Sequence, residues 1–250
     1  MPTPIDVILD PISLVFIFTF FLLMLIESIF PREKMPHIAF WRAKGIFAFI
    51  IYFFLASYIP LVIDPFLAQY QLVSLQHLGV GWGLLVSFVV FEFGLYFWHR
   101  AMHDSDFLWR VFHQFHHSAE RVDMAGAYYF NLTDMIGFTL LGSVCLTLIV
   151  GVSPEVITIF LITSNFLAVF QHANLKTPRW LGYIIHRPEN HTVHHSSTIH
   201  YKNFSDFPVI DALFGTFENP RETSGSYGFY PGSSKRMLEM LLFKDINKSK

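Results

Sequence analysis

Long runs of apolar residues set the strongest limit on how this 250-residue chain can fold. Residues 12–30 contain one charged side chain, Glu27, residues 46–63 contain none, and residues 83–98 contain only Glu92. About 20 consecutive apolar residues are enough to cross the hydrocarbon core of a bilayer as a helix. Because lipid offers no partner to backbone amides and carbonyls, such segments must satisfy these groups internally, as helices do. The runs therefore predict an all-α integral membrane protein.

Two further apolar runs follow on either side of residues 151–153, and we expect them to form a hairpin that crosses the membrane and returns. Ser153 can cap the second arm, and Pro154 can occupy its first helical position. Pro60 lies near the far end of the second span, where a kink or a frayed turn is tolerable. We predict a single helical bundle of about four membrane crossings, comprising residues 1–250. Its apolar segments are about 12–30, 46–63, 83–103, 135–150 and 154–172.

The composition also indicates contact with lipid. Hydrophobic residues make up 53% of the chain and charged residues 14%, whereas about 25% of the residues in a soluble domain are charged. The net charge of -2 gives no reason to expect a nucleic acid partner. The single cysteine, Cys145, excludes both a disulfide framework and a thiolate metal cage.

Lysine and arginine are distributed unevenly along the chain. Four lie at positions 32, 34, 42 and 44, between the first two spans, and the other thirteen lie at Arg100 or beyond. The first eleven residues, the connection 64–82 and the hairpin tip contain none. The positive-inside rule therefore predicts an N-terminus outside the cytoplasm. A histidine-rich helical cap, formed by residues 99–134 and 173–220, is then cytoplasmic, as is every histidine except His77.

Histidines are concentrated in three short blocks. In HRAMH the two histidines stand one helical turn apart, and in HQFHH and HTVHH the three have the i, i+3, i+4 spacing that shares one helix face. Imidazole is the commonest nitrogen ligand for transition metals, so the blocks indicate a metal site. The histidines are His99 and His103, then His113, His116 and His117, and finally His191, His194 and His195.

The number of histidines favours a particular kind of metal centre. Eight nitrogen ligands exceed the four of a closed structural zinc site. They are enough for two metals with open coordination positions, which suits iron and oxygen chemistry.

The three blocks, in this order, resemble the membrane-bound fatty acid hydroxylase / sterol desaturase superfamily, whose pattern is HxxxH, HxxHH and [HQ]xxHH. The flanking sequences FWHR, FLWRVFHQFHHS and DALFGTF are similar to this family as well, and the resemblance covers residues 83–220. It implies a centre of two non-haem irons, ligated by the eight histidines. Such a centre activates O2 to hydroxylate or desaturate a C–H bond of a lipid or sterol.

The resemblance further implies an additional histidine ligand between the second and third blocks. His172, at the end of the return arm, is the candidate, and a structural role at the helix end is the alternative. His186 and His200 flank the third block, where each could support or replace a ligand, or be peripheral. Glu92 shares a helix face with His99, so it could support a ligand or line a substrate channel; the alternative is a simple interhelical hydrogen bond.

Other polar residues receive less weight. Three polar residues are weaker candidates for supporting the site: Asn131, Asp134 and Asn165. Four acidic residues are expected to be solvated loop charges: Asp104, Asp106, Glu120 and Asp123. Asp104 could alternatively orient a histidine.

The chain itself carries no apparent route for electrons. It has no glycine-rich dinucleotide fingerprint, no CxxCH haem site and no cysteine set for an iron–sulfur cluster. The predicted reaction therefore requires an external donor, a ferredoxin, a cytochrome or a flavoprotein reductase, which would meet the protein on the cytoplasmic side.

Two alternatives to lipid hydroxylation stay open at this point. The same centre could perform desaturation or act as an ether-lipid monooxygenase, because small differences in substrate position decide the outcome. A membrane metal transporter or metal sensor is the non-enzymatic alternative. That function requires ionisable ligands deep within the spans, whereas these histidines cluster outside them.

Overall fold

The computed structural model describes residues 1–198, 201–223 and 225–247, and these residues form an all-helical protein. Within those ranges there is no β-strand, although Ser196 and Tyr227 form one isolated bridge. The predicted all-α membrane fold is confirmed, because four helices are long and apolar enough to cross a bilayer and one shorter helix is apolar. The four are Pro11–Ile29, Trp41–Tyr70, Val80–Asp104 and Leu132–Ile149, and the shorter one is Pro154–Phe170.

The helices follow one another with short connections. The α-helices are α1 (Pro4–Leu9), α2 (Pro11–Ile29), α3 (Trp41–Leu67), α4 (Val80–Asp104), α5 (Asp106–Leu108), α6 (Gln114–His117), α7 (Leu132–Ser143), α8 (Pro154–Phe170), α9 (Pro188–His194), α10 (Pro208–Leu213) and α11 (Met237–Leu241). Two segments are π-helical, Trp109–His113 and Val144–Ile149. Short 3₁₀ turns cover Ala68–Tyr70, Met124–Gly126, Arg179–Tyr183 and Ser233–Lys235.

Local sequence signals explain where the long helices begin. The Asp10 side chain accepts hydrogen bonds from the first amides of α2, and Pro11 occupies its first position. Ser153 caps α8 and Pro154 begins it, as predicted from the sequence. Asn131 caps α7 in the same way, by accepting the backbone amide of Asp134. Each cap satisfies a helix-end donor that would otherwise lack a partner.

The second span contains two prolines within its helix. The helix α3 continues through both Pro60 and Pro65 to Leu67. A proline removes one backbone hydrogen bond from a helix. Unwinding the helix in lipid would leave several more amides and carbonyls without partners, so continuing the helix costs less.

The fourth helix carries the first histidine block beyond the bilayer core. With 25 residues, α4 is about 37 Å long, and the hydrocarbon core is about 30 Å thick. His99 and His103 occupy its last turns, yet both side chains are buried. They are covered by segments that return from later in the chain.

The segment after α6 packs against α2 and α3 through buried polar contacts. Glu27, the one charge of the first span, accepts the backbone amides of Met124 and Asn174, each at 3.0 Å. Asp123 accepts the indole N–H of Trp41 at 2.7 Å and is 2% exposed. The prediction that Asp123 is a solvated loop charge is therefore wrong. Burial of this segment requires acceptors for the indole and amide donors around it.

The packing of α3 against the same segment generates a stability prediction. A Cβ atom at Gly45 would lie 2.2 Å from the backbone oxygen of Ala125, which cannot move aside as a side chain could. Gly45→Ala should therefore lower the free energy of unfolding by about 1–3 kcal/mol. Gly81→Ala is the matched control, because a Cβ at Gly81 meets nothing within 4 Å. Thermal melting of both variants in detergent tests this, and equal melting temperatures would contradict the close approach.

Candidate metal centre

Nine of the described histidine side chains meet around the last turns of α4 and form two adjacent groups. All nine are buried. In each group, one ring nitrogen from each residue lies within 4.8 Å of the others. These are the eight histidines of the three blocks together with His172. The first group contains His99, His103, His113, His117 and His194, and the second contains His116, His172, His191 and His195.

The second and third blocks each divide between the two groups. His113 and His117, one helical turn apart, belong to the first group, whereas His116 belongs to the second. Adjacent residues on a helix differ by about 100° in direction, so His116 and His117 point to different centres. The three histidines of a block therefore link the two groups. The third block divides in the same way, with His194 in the first group and His191 and His195 in the second.

A π-helical turn leads into the second block. It covers Trp109–His113 and is followed directly by α6. A π-turn holds an extra residue, which rotates the side chains that follow it, and such turns are frequent at functional sites. Here it brings the His113 ring within 4.7 Å of the His99 ring, centroid to centroid.

Hydrogen bonds to Nδ1 fix the orientation of four of the rings. The acceptors are backbone carbonyls in three cases and a carboxylate in the fourth. Because these oxygens can only accept, Nδ1 carries the proton, and Nε2 of the neutral ring has a free lone pair. The pairs are His99 with the Phe204 carbonyl (2.8 Å), His113 with Asp134 (2.9 Å), His172 with the Ala168 carbonyl (2.7 Å) and His194 with the Lys202 carbonyl (2.9 Å).

The Nε2 atoms face one another at distances that fit metal ligands. His99 Nε2 and His113 Nε2 are 2.9 Å apart, and with both Nδ1 atoms protonated, neither neutral ring has a proton to donate to the other. A cation between them removes the lone-pair repulsion. Two nitrogens at right angles around an ion, with bonds of about 2.1 Å, are about 3.0 Å apart, whereas tetrahedral ligands are about 3.4 Å apart.

The second group has the same spacing. His172 Nε2 lies 3.1 Å from His116 Nε2 and 2.9 Å from His191 Nε2. His191 Nε2 and His195 Nε2 are 3.0 Å apart. Both groups therefore fit an ion with ligands near right angles, which is the geometry of six-coordination.

The electrostatic environment keeps these imidazoles neutral. Burial lowers the pKa of the rings in the cap well below the ordinary value of 6.5, and neighbouring histidines lower it further, since a charge on one ring disfavours a charge on the next. Neutral rings can bind a cation without first losing a proton. This applies to His113, His116, His117, His191 and His195.

Asp134 is a carboxylate in direct contact with a histidine of the first group. It is fully buried in the first turn of α7, and its Oδ2 accepts the Nδ1 proton of His113. Its Oδ1 has no hydrogen-bond partner within the described part of the chain. A carboxylate behind a ligating imidazole fixes the tautomer and raises the basicity of the ring. Asp134 was only a weak candidate from the sequence, because its separation from the histidine blocks along the chain hides this contact.

His186 supports the centre indirectly and belongs to neither group. Its Nε2 lies 3.1 Å from Asp211, which also accepts the backbone amides of Phe204 and Ser205. Burial tends to raise the pKa of Asp211, but the hydrogen bond and charge of His186 and nearby hydroxyls lower it to about 2. This anionic carboxylate holds the loop whose Phe204 carbonyl orients His99. Sequence reasoning missed Asp211, and the DALFGTF segment that begins with it was the available signal.

The remaining candidates from the sequence lie elsewhere. Glu92 accepts the backbone amides of Asp206 and Phe207, at 2.9 and 3.2 Å, so it ties α4 to the start of α10. This contact corresponds to the simple hydrogen-bonding alternative for Glu92. Asp104 is exposed and pairs with Arg100 rather than with a histidine. His200 lies outside the described residues.

A cavity of about 280 Å³ extends from the two groups into the helix bundle. Along α3 its lining runs from Phe49 to Asp64, a distance of about 22 Å. The hydrocarbon core is about 30 Å thick, and a lipid chain occupies only one of its two leaflets. The cavity is therefore long enough for an extended hydrocarbon chain. Its walls are mostly apolar and include Phe53, Phe91, Phe138, Leu146 and Phe160. The histidines that line it are His99, His113, His116, His172 and His191.

The contact between Asp134 and His113 generates a prediction about metal affinity. Asp134→Leu removes the acceptor of the Nδ1 proton and should weaken metal binding about 10- to 100-fold, as loss of such supporting contacts does elsewhere. Asp134→Asn keeps an acceptor oxygen and should have a smaller effect. The exposed Asp104→Asn is the matched control and should bind as the wild type does. Competition with a chelator of known affinity measures this, and equal affinities for Asp134→Leu and the wild type would contradict the assigned role.

Several curated proteins have similar sequences. Ornithine lipid hydroxylase OlsE of Rhizobium tropici is 31% identical over 63% of this chain and 49% of its own length. Sphingolipid C4-hydroxylase sur2 of Schizosaccharomyces pombe is 27% identical over 54% of this chain and 47% of its own. Alkylglycerol monooxygenase of Danio rerio is 28% identical over 59% of this chain and 33% of its own. The matched region thus spans about half or less of these curated relatives.

No solved structure gives a significant match. The profile of the fatty acid hydroxylase family, in contrast, matches residues 84–216, which is more than half of the chain and includes all nine histidines of the two groups. The match confirms the superfamily that the three blocks predicted, and with the names of the relatives it supports the predicted oxidoreductase. The chain belongs to the fatty acid hydroxylase family.

Proposed function

We propose that this protein is an iron-dependent membrane oxygenase that hydroxylates a C–H bond of a lipid or sterol. The main support for the proposal is that two groups of buried imidazoles lie at one end of a long apolar cavity. The cavity can hold a hydrocarbon chain, and the histidines can hold metal beside its end. The hydroxylases and the monooxygenase among the relatives support oxygen insertion over desaturation.

In this proposal the nine histidines hold two iron ions, one in each group. The first group offers five nitrogens, more than a tetrahedral zinc site uses, and the spacings in both groups suit six-coordinate ions. Four or five imidazoles leave each ion with one or two open positions. When bound, iron would activate O2 for attack on an unactivated C–H bond, a chemistry that no side chain can supply.

The protein contributes orientation and the exclusion of water. Asp134 and the carbonyls behind the rings keep Nε2 directed at the ions, and the Asp134 carboxylate partly balances their positive charge. Phe130 and Phe138 lie against the histidines at the cavity end, with ring centroids 4.2 Å from His116 and 6.1 Å from His113, respectively. These aromatic walls confine the substrate chain and keep water from the reacting carbon.

A metal transporter or sensor fits this geometry less well. Such a protein needs ligands spaced along a path through the membrane. The nine histidines instead lie together around the last turns of α4, and the lining of the adjoining cavity is mostly apolar.

We further propose that the centre faces the cytoplasm and receives its electrons from an external ferredoxin, cytochrome or flavoprotein reductase. The clustering of cations supports this orientation, because Lys34, Arg42 and the basic residues of the cap lie on the side of the histidines.

The two-ion proposal predicts a specific loss of metal and product. Protein loaded with iron should contain close to two ions per chain, and His116→Ala should retain about one, because it removes one of the four ligands of the second group. The variant should form no oxygenated lipid. His77→Ala is the matched control, since His77 is exposed and remote from both groups. Elemental analysis gives the metal content, and lipid mass spectrometry detects a product that has gained one oxygen atom.

Other outcomes of that experiment would contradict the proposal. One ion or none in well-folded, iron-supplied protein would exclude two metal sites. Loss of two hydrogens from the product would indicate desaturation instead of hydroxylation. An unchanged lipid profile with oxygen and a competent reductase would favour transport or sensing.

The orientation can be tested by labelling introduced cysteines. The native Cys145 is buried, so the background of labelling is low. In sealed cells, a membrane-impermeant maleimide should label Ser74→Cys, in the connection between α3 and α4, but should not label Lys34→Cys until the membrane is permeabilised. The reverse pattern would place the histidines on the outer side.

A further inference from the structure

A second pocket lies away from the substrate cavity, where α2 ends and α3 begins. Its volume is about 420 Å³ and most of its lining is charged or polar. Four cationic side chains and three carboxylates contribute to it. The cations are Arg32, Lys34, Arg42 and Arg121, and the carboxylates are those of Glu27, Glu33 and Asp123.

Arg32 is the unusual residue of this pocket. Its side chain is only 7% exposed, and its Nη2 donates to Glu33 at 2.8 Å. Its Nε and Nη1 are buried and have no hydrogen-bond partner within the described residues. A guanidinium has five N–H donors, and leaving charged donors buried and unpaired is costly. The unpaired Nε and Nη1 donors of Arg32 therefore indicate that a further acceptor enters the pocket.

The carboxylates of the pocket do not accept from Nε or Nη1 of Arg32, because they form hydrogen bonds and ion pairs with other groups. Their partners are backbone amides, an indole, two hydroxyls, the Arg121 guanidinium and Nη2 of Arg32 itself. Glu27 accepts the amides of Met124 and Asn174, Asp123 pairs with Arg121 and the Trp41 indole, and Glu33 accepts from Arg32 and from the Tyr227 hydroxyl.

Two other cations remain available beside Arg32. Arg42 is exposed and donates from Nη2 to the Ser28 hydroxyl at 2.9 Å, and Lys34 is exposed. The four cations exceed the three carboxylates, so the pocket has a positive formal charge. An acceptor that matches it should be an anion with several oxygens, because the planar guanidinium fork fits a phosphate in a bidentate manner.

We propose that this pocket binds a phosphate group at the membrane boundary, with Arg32 as the main donor and Arg42 and Lys34 as further cations. The pocket lies between the end of one spanning helix and the start of the next, at the level where phospholipid headgroups occur. A phospholipid headgroup and a free phosphate ion share this chemistry. The site is independent of the proposed oxygenase reaction.

The pocket also adjoins the segment that carries a histidine of the second group. The Asn174 carbonyl accepts the backbone amide of Arg32 at 2.8 Å, and the Asn174 side chain accepts the amide of Glu33 at 3.3 Å. Asn174 follows His172 by two residues. The phosphate site is therefore close to the metal centre along the chain, although the pocket shares no lining residue with the substrate cavity.

Lipid titration of the full-length protein in a neutral detergent tests the proposal. Phosphatidic acid and diacylglycerol with identical acyl chains differ only in the phosphate, and native mass spectrometry counts the bound lipid. The wild type should bind one phosphatidic acid in preference to diacylglycerol, and Arg32→Gln should bind it at least tenfold more weakly, since charge-assisted hydrogen bonds are lost. Arg32→Lys should have an intermediate affinity. The exposed Arg221→Gln is the matched control and should bind as the wild type does.

Further experiments identify the source of the phosphate and control for misfolding of the variants. If inorganic phosphate stabilises the wild type but not Arg32→Gln in thermal melting, and phosphatidic acid adds nothing, the pocket serves a free anion. If phosphatidic acid, but not inorganic phosphate, stabilises the wild type and fails to stabilise Arg32→Gln, the pocket binds a phospholipid headgroup. Arg42→Gln, at an exposed position, tests the site without altering a buried residue and should weaken binding severalfold. Equal binding of phosphatidic acid and diacylglycerol, or unchanged phosphate binding in both arginine variants, would overturn the proposal.

Discussion

The mutual burial of nine imidazole rings is the constraint on which the rest of the structure depends. A buried polar group without a partner costs about 1–3 kcal/mol, and each ring carries two nitrogens. Backbone carbonyls and Asp134 satisfy Nδ1 in four rings, while the Nε2 atoms face one another at about 3 Å. In the His99–His113 pair both Nδ1 atoms carry the proton, so the two facing Nε2 lone pairs repel one another. The arrangement is therefore most stable with cations between the rings, and metal binding and folding of the cap are coupled.

The surrounding helices meet this constraint by bringing acceptors from distant parts of the chain. The loop after the third block supplies the carbonyls of Lys202 and Phe204, and Asp211 with His186 holds that loop in place. The return arm, α8, ends beside the second group and supplies both His172 and the Ala168 carbonyl that orients it. Because α4 extends beyond the bilayer core, the rings assemble at the membrane edge, where the cavity within the bundle begins.

The helical spans and the meeting of the three histidine blocks were predictable because each has a strong one-dimensional signal, and the family resemblance added His172 as a candidate, which the structure places in the second group. Apolar run length reports membrane crossing, and helical spacing reports a shared face. The division of the second and third blocks between two groups was not predictable, since spacing alone does not locate the centres that the rings face. Backbone acceptors such as the Phe204 carbonyl leave no mark in the sequence. Asp123 was misjudged for a related reason, because tertiary burial decides whether a loop carboxylate is solvated.

X-ray absorption at the iron edge of iron-loaded protein would test the central claim most directly. Nine histidines shared by two ions predict an average of four to five imidazole nitrogens per iron, at about 2.1 Å, with the multiple scattering typical of imidazole rings and no sulfur. A shell with two or three imidazoles per iron and several carboxylate oxygens would contradict the account, as would a sulfur ligand.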